Sequence, residues 1–255
     1  MRYEILGPLR VVRDDTGATI SARKIETVLM VLLLRADRVV ASDTLMNEIW
    51  GDELPRRVTA CLHVYISQLR KFLQRPGRKD NPVVTQPSGY LLRLGEDELD
   101  LNDFLTLMDG GRELAREGRH EQAARRFDKA LRLWRGPFPG ELYKGPAISG
   151  FVTWLTEERL ECLERLVESQ LALGRHREVV GQLYRLIAEN PLREAFYRQL
   201  MLALYRSERQ GDALKTYQNA RQMLREELGV EPCRSLRDLQ RDILAADDRL
   251  YVPAI

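Results

Sequence analysis

The sequence predicts an α+β domain followed by an all-α domain of repeated helix pairs. Three observations support this fold class. Short β-like segments and turns lie at both ends of the first 95 residues, helical periodicity fills the chain after Asn102, and a helix-pair pattern recurs within that helical part. The 255 residues suffice for two hydrophobic cores, and 44% apolar with 31% charged residues is an ordinary globular composition.

The first domain begins with alternating apolar residues around Tyr3, Val11 and Ile20, and turn residues separate these short segments. This pattern predicts a small antiparallel sheet. A strongly apolar helix is expected from about Arg23 to Arg35. Ser42 is placed to cap a second helix, because its hydroxyl can accept a free backbone N–H of the first turn.

A third helix, predicted from Arg56 to Leu73 after the break at Pro55, begins the most basic part of the chain. Residues 56–79 carry seven Arg or Lys and no Asp or Glu. Its apolar residues recur at helical spacing and predict one buried stripe: Leu62, Ile66, Leu69 and Leu73. The opposite face carries small and basic side chains: Ala60, Val64, Ser67 and Lys71.

A β-hairpin is predicted directly after this helix. The strand V-V-T-Q is followed by the turn P-S-G and the strand Y-L-L-R-L, and Gly89 is expected to supply the positive φ of the turn. A basic helix followed by a two-stranded wing is the order of parts in a winged helix-turn-helix. Small side chains allow a helix to approach base edges closely, and cations neutralise phosphates.

Residues 96–101 predict a short acidic linker between a first domain at 1–95 and a helical domain at 102–255. Seven helices are expected there, at about 102–117, 120–135, 151–173, 176–189, 192–206, 209–227 and 234–246. Similar segments begin at Glu117, Leu173 and Ser207, and the last two are offset by 34 residues. That offset is the period of tetratricopeptide helix pairs, in which each pair covers the apolar face of the next.

The charge is unevenly distributed, with a net +5 over residues 1–95 and a net −3 over 96–255. This division favours a nucleic-acid-binding module joined to a module for protein contacts. The sequence has no phosphate-binding glycine loop, no nucleophile elbow and no clustered Cys or His ligands. We therefore expect no enzyme activity, catalytic residue, metal or cofactor, and the lack of a long apolar run predicts a cytoplasmic protein without membrane contact.

Several segments together resemble one family of regulators. They are R-Y-E-I-L-G-P-L, A-D-R-V-V-A-S-D-T-L-M-N-E-I-W-G-D, H-V-Y-I-S-Q-L-R-K and S-G-Y-L-L in the first domain, and L-R-L-W-R-G-P, R-E-A-F-Y-R-Q-L-M and R-E-E-L-G-V-E-P in the second. Essentially the whole chain is similar to the Streptomyces antibiotic regulatory proteins. These combine an OmpR-type winged helix-turn-helix with a bacterial transcriptional activation domain of tetratricopeptide-like helices.

The resemblance implies an activator of transcription for a secondary-metabolite gene cluster. Such a protein binds direct repeats in double-stranded DNA near promoters, as a homodimer or a DNA-induced dimer, and recruits RNA polymerase holoenzyme with its sigma factor. The implied polymerase-contact loop contains Gly51, Asp52, Glu53 and Arg56. The implied DNA-binding residues are Arg57, His63, Val64, Tyr65, Ser67, Gln68, Arg70, Lys71, Arg78, Lys79, Thr85, Gln86 and Tyr90, among which Arg70 and Lys71 favour phosphate contact.

The sequence departs from the family pattern at two positions. Gln86 stands where relatives usually carry an Arg before the wing turn, and Gln68 stands where they often carry an Arg in the third helix. Both differences reduce the expected attraction for phosphate, and Arg78 and Lys79 are placed to compensate. The alternative hypothesis is a helical-repeat interaction scaffold, or an effector-binding co-regulator, that does not bind DNA directly.

Overall fold

The computed structural model describes residues 1–14, 16–77, 80–138, 140, 145–247 and 250. The chain divides into two compact units that interleave along the sequence. The first unit comprises Met1–Thr106 and Ala130–Arg159, and the second comprises Leu107–Lys129 and Leu160–Ile255. The predicted domains at 1–95 and 102–255 do not coincide with these two units. The division into those domains stays a prediction.

As far as the structure describes it, the amino-terminal part combines three helices with two small sheets. Its elements are β1 (Arg2–Glu4), β2 (Arg10–Arg13), β3 (Thr16–Ala18), α1 (Arg23–Leu34), β4 (Val39–Ala41), α2 (Ser42–Trp50), α3 (Val58–Leu73), β5 (Val83–Gln86), β6 (Gly89–Leu92) and β7 (Glu98–Leu99). One sheet has the strand order β3-β2-β1-β7, and the other has the order β4-β6-β5. Helix α1 packs against both α2 and α3. This arrangement is the predicted winged helix-turn-helix.

Seven helices follow within the described residues, as the periodicity predicts: α4 (Asp100–Arg116), α5 (His120–Arg132), α6 (Pro146–Ala172), α7 (His176–Glu189), α8 (Glu194–Arg206), α9 (Gln210–Leu228) and α10 (Arg234–Leu244). The core of the second unit contains Leu183, Phe196, Leu200 and Leu204, all at most 1% exposed. None of the helices in the described ranges is both long and apolar enough to cross a bilayer.

The segment 96–101, expected as a linker, is instead built into the first unit. Strand β7 pairs parallel with β1, in a register that places Tyr3 opposite Leu99. The next residue, Asp100, is only 2% exposed, and its carboxylate accepts the backbone N–H groups of Ile5 at 2.8 Å and Leu6 at 3.0 Å. Burial is the largest influence on this carboxyl and raises its pKa, against the opposing effect of the two hydrogen bonds.

Two local predictions in the first domain were wrong. Ser42 is the first residue of α2, and Ala41 occupies the N-cap position without a side-chain hydrogen bond. Gly89 does not have a positive φ. It is required for a different reason: a Cβ atom there would lie 1.9 Å from the carbonyl oxygen of Val40, because β4 runs against β6 at this point.

Helix α6 begins at Pro146, five residues before the predicted start at 151. Proline is favoured in the first turn of a helix because it lacks the N–H that would remain unpaired there. The N–H groups of Ala147 and Ile148 donate to the carboxylate of Glu48 in α2, at 2.7 and 3.2 Å. Glu48 is 5% exposed and lies about 100 residues away in sequence, which is why the helix start was missed.

The three similar segments form three equivalent turns. Gly118, Gly174 and Glu208 each have a φ between 63° and 76°. In each turn the next residue donates its N–H to a carbonyl five residues earlier: Arg119 to Leu114, Arg175 to Gln170, and Arg209 to Leu204. Each turn therefore contains one residue in the left-handed backbone conformation. Gly adopts this conformation readily, whereas Glu adopts it at a cost in free energy.

This equivalence predicts opposite effects of two substitutions. Glu208→Gly should raise the free energy of unfolding by about 0.5–1 kcal/mol, and Gly174→Ala should lower it by about 1 kcal/mol, because a Cβ atom disfavours the left-handed region. Urea denaturation would measure both. The control is Gly181→Ala inside α7, where φ is not positive and Ala is the better helix former. Equal changes in the free energy of unfolding for Gly174→Ala and Gly181→Ala would contradict the left-handed conformation assigned to Gly174.

An ion pair in the second unit predicts a pH dependence. Arg112 donates to both oxygens of Glu161, at 3.2 and 2.9 Å, and holds the pKa of that carboxyl below its ordinary value of 4.5. Because the folded pKa is the lower one, the pair stabilises the protein above pH 4.5, and this stabilisation is lost as the pH falls through the folded value.

Glu161→Gln should therefore lower the free energy of unfolding by under about 1 kcal/mol at pH 7. The difference from the parent protein should vanish in acid below the folded pKa, where the parent carboxyl is also neutral. Thermal unfolding at several pH values would measure it. Glu113→Gln breaks the more exposed pair with Arg116 and serves as the control, with a smaller effect. If Glu161→Gln remained equally destabilising in acid, the ion pair with Arg112 would be excluded as the cause.

Candidate nucleic-acid interface

The rotation of α3 about its axis is set by its apolar stripe. Leu62, Ile66, Leu69 and Leu73 are all at most 2% exposed. The opposite face is therefore solvent-exposed, and Val64 keeps 51% of its surface accessible. His63, Ser67, Gln68 and Lys71 are exposed with it. The observed helix begins at Val58, two residues after the predicted start.

Among the described residues, three cations near or on α3 have neither a carboxylate partner nor another side-chain hydrogen bond: Arg56, Arg57 and Lys71. All three are exposed. Arg75 differs, because it forms an ion pair with the buried carboxylate of Asp97. Arg78 and Lys79 lie outside the described residues. The exposed, unpaired cations are the ones that can neutralise an external anion.

The C-terminal end of α3 is fixed by an arginine of the neighbouring sheet. Arg13 of β2 donates to the carbonyl of Phe72, and its guanidinium carbon lies 5.4 Å from the centre of the Phe72 ring. Cations are favoured at this end of a helix because the last carbonyls carry partial negative charge. The helix ends at Leu73, as the sequence pattern predicts, but the contact with Arg13 was not predicted.

The predicted wing forms as expected in outline. Strands β5 and β6 pair antiparallel with Gln86 opposite Gly89, so the connecting turn consists of Pro87 and Ser88. Thr85 is exposed and Gln86 is half-buried. Tyr90 is only 5% exposed, so its side chain does not lie at the surface where the sequence placed it.

Two predicted site residues have partners inside the protein. Tyr65 stacks on Trp50 of α2, with ring centres 5.6 Å apart, and the Lys24 ammonium lies 5.3 Å from the Trp50 ring. Arg70 donates from Nε to the carbonyl of Val83 at 3.0 Å and from Nη2 to Oγ1 of Thr85 at 2.6 Å. Arg70 thus connects α3 to the wing, a role that helical spacing did not predict.

The implied polymerase-contact loop lies between α2 and α3, and Gly51, Asp52, Glu53 and Arg56 are all exposed. Gly51 ends α2 with φ 55° and ψ −127°, a combination that residues with a side chain avoid. Among the residues that the structure describes, no cluster of three His, Cys, Asp or Glu side chains is arranged to hold a metal ion.

Comparison with known proteins agrees with this architecture. The bacterial transcriptional activator domain matches residues 99–244, and the C-terminal domain of transcriptional regulatory proteins matches residues 18–92. The regulatory protein DnrI of Streptomyces peucetius is 36% identical, over 97% of this chain and 93% of its own length. The transcriptional regulator RedD of Streptomyces coelicolor is also 36% identical, over 100% of this chain and 73% of its own. The chain belongs to the Streptomyces antibiotic regulatory protein family.

Similar proteins also occur outside Streptomyces. The transcriptional regulatory protein MoaR1 of Mycobacterium tuberculosis is 36% identical, over 96% of this chain and 79% of that protein. A solved structure of Mycobacterium tuberculosis EmbR, in complex with a low affinity phosphopeptide, matches with a TM-score of 0.90 and 33% identity. It covers 96% of this chain and 65% of the EmbR chain. Our chain is thus a DNA-binding transcriptional activator, and its relatives are regulators of transcription, not enzymes.

Proposed function

We propose that the regulator binds direct repeats in duplex DNA near promoters, with α3 in the major groove and the wing beside the adjacent phosphates. The observation that supports this most is the exposed face of α3, which carries no carboxylate and lies next to a wing. A major groove about 12 Å wide admits such a helix. The recognition surface consists of Arg57, His63, Val64, Ser67, Gln68 and Lys71, with Thr85 and Gln86 on the wing.

Affinity and specificity come from different residues on this surface. Arg57 and Lys71 are unpaired cations, and neutralising phosphates supplies affinity without reading sequence. His63, Ser67 and Gln68 offer hydrogen-bonding groups to base edges, and Val64 offers an apolar contact for a thymine methyl group. Tyr65 supports the surface through its stack with Trp50.

Two protomers sit head-to-tail on the repeats and recruit RNA polymerase holoenzyme. The loop with Gly51, Asp52, Glu53 and Arg56 contacts the polymerase or its sigma factor, and the domain at 102–255 mediates protein contacts. The protein acts in the cytoplasm on a gene cluster for a secondary metabolite. The exposure of the loop and the family membership support these roles.

The division of roles predicts different effects of two substitutions. Lys71→Ala should weaken binding to every duplex and reduce the slope of log K against log salt by about 1, because one phosphate contact is lost. His63→Ala should change the preference among duplexes, by about 1–3 kcal/mol at one base pair. Fluorescence anisotropy at several salt concentrations would measure both. Lys215→Ala in α9, also an exposed Lys, is the matched control and should change neither.

Absence of salt-dependent binding to mixed genomic DNA at micromolar protein would reject the DNA-binding proposal and favour the scaffold alternative. If His63→Ala and Lys71→Ala lowered specific and nonspecific affinity equally, the proposed roles of these residues would be wrong.

The head-to-tail arrangement predicts a footprint. Hydroxyl-radical footprinting of genomic fragments should show two protected half-sites in the same orientation, with centres about 10–10.5 bp or a multiple of that apart. A symmetric pair of inverted half-sites would instead indicate a two-fold dimer and contradict the direct-repeat arrangement.

A further inference from the structure

The connection between α3 and the wing consists of more than one contact. Arg70 donates to the Val83 carbonyl and to the Thr85 hydroxyl, both on β5. In the other direction, the Asn81 amide donates to the carbonyl of Arg70 at 2.8 Å and to Oε1 of Gln74 at 3.3 Å. The same Asn81 accepts the N–H of Val83 at 3.1 Å and so closes an Asx turn before the strand.

These hydrogen bonds fix where the wing stands relative to the recognition helix. The guanidinium is planar, and its donors form a rigid fork, so a pair of bonds to one strand constrains direction as well as distance. Val83 is 2% exposed and pairs with Leu92 across the hairpin, so the strand end that Arg70 contacts is itself firmly held. Thr85 is exposed one pleat further along the same strand.

The bond to Thr85 also orients its hydroxyl. A threonine hydroxyl has one proton to donate and lone pairs to accept with. Arg70 has only donors, so Thr85 Oγ1 is the acceptor in this pair, and the hydroxyl proton remains available for an external acceptor. Thr85 precedes the wing turn by two residues. The proposed DNA binding places this part of the wing beside the phosphates.

We infer that Arg70 is a positioning residue that acts through Thr85. It holds the wing in register with α3 and directs the Thr85 hydroxyl toward a DNA phosphate oxygen, whereas Lys71 beside it contacts phosphate directly. This inference rests on the proposed DNA binding. It replaces the expectation that Arg70 itself is a phosphate contact, because its Nε and one Nη are already engaged within the protein.

A double-mutant cycle between Arg70→Met and Thr85→Val tests the inference. The probe is a 30-base-pair duplex of mixed sequence, because phosphate contacts do not depend on sequence. Each single variant should bind about 10- to 100-fold more weakly, the loss expected for one hydrogen bond to a charged group. The double variant should bind no more weakly than either single one, since both remove the same contact.

The salt dependence distinguishes positioning from direct contact. Arg70→Met should change the slope of log K against log salt by less than half the change that Lys71→Ala causes. Thr85→Ser keeps the hydroxyl and should retain the parent affinity. Arg70→Lys should not restore binding, because an ammonium group lacks the fork that reaches both acceptors. Far-UV circular dichroism and urea denaturation establish that each variant is folded.

Additive losses in the double variant, or a drop of about 1 in the salt slope for Arg70→Met, would show that Arg70 contacts phosphate itself and would overturn the inference. If Arg70→Met failed to fold, Arg70→Lys would take its place in the cycle. A double variant no weaker than either single one would support the inference, and parent-like binding of Arg70→Lys alone would overturn it, because a lysine can contact phosphate directly. A parent protein that showed no salt-dependent binding to the duplex would instead reject the proposed function, so the two failures are distinguishable.

Discussion

The surface that faces DNA depends on the burial of one row of four side chains in α3. Leu62, Ile66, Leu69 and Leu73 are buried against the rest of the domain, and this burial fixes the rotation of the helix. A rotation of 100°, the angle between neighbouring residues, would turn His63 and Ser67 toward the core at a cost of several buried apolar side chains, each about 1.5–3 kcal/mol. The polar face is therefore exposed to solvent because the opposite, apolar face is buried in the core.

Much of this arrangement could be predicted from the sequence, because it depends on local periodicity. The stripe of α3, the hairpin strands and the seven later helices all follow from spacing within a window of about one helix or strand. Predictions that needed a partner remote in sequence were wrong or absent. The extended start of α6 depends on Glu48, the structured segment at 96–101 depends on Asp100 and β1, and the requirement for Gly89 comes from β4.

The same distinction applies to the interface. Exposure of His63, Val64, Ser67, Gln68 and Lys71 followed from the period of the helix. The internal partners of the other predicted site residues did not follow from that period. The sequence does not show whether a polar side chain faces solvent or bonds within the fold. Tyr90 is buried, Tyr65 stacks on Trp50, and Arg70 is bonded to the wing. The Asn-Pro pair at 81–82 is a local signal for the turn in this network, but no prediction was drawn from it.

The buried carboxylate of Glu48 has a consequence for how such regulators can be divided. A fragment ending at residue 95 would lack residues 96–106 and 130–159 of the first unit, among them β7 and the first turn of α6. In that fragment β1 would become an unpaired edge strand of its sheet, and the Glu48 carboxylate would lose the hydrogen bonds from Ala147 and Ile148. A gene fusion or recombination event that exchanged only the winged helix would produce the same open edge and the same unpaired carboxylate. In this chain the segment that can be exchanged intact therefore extends past the DNA-binding module into the first part of the helical region.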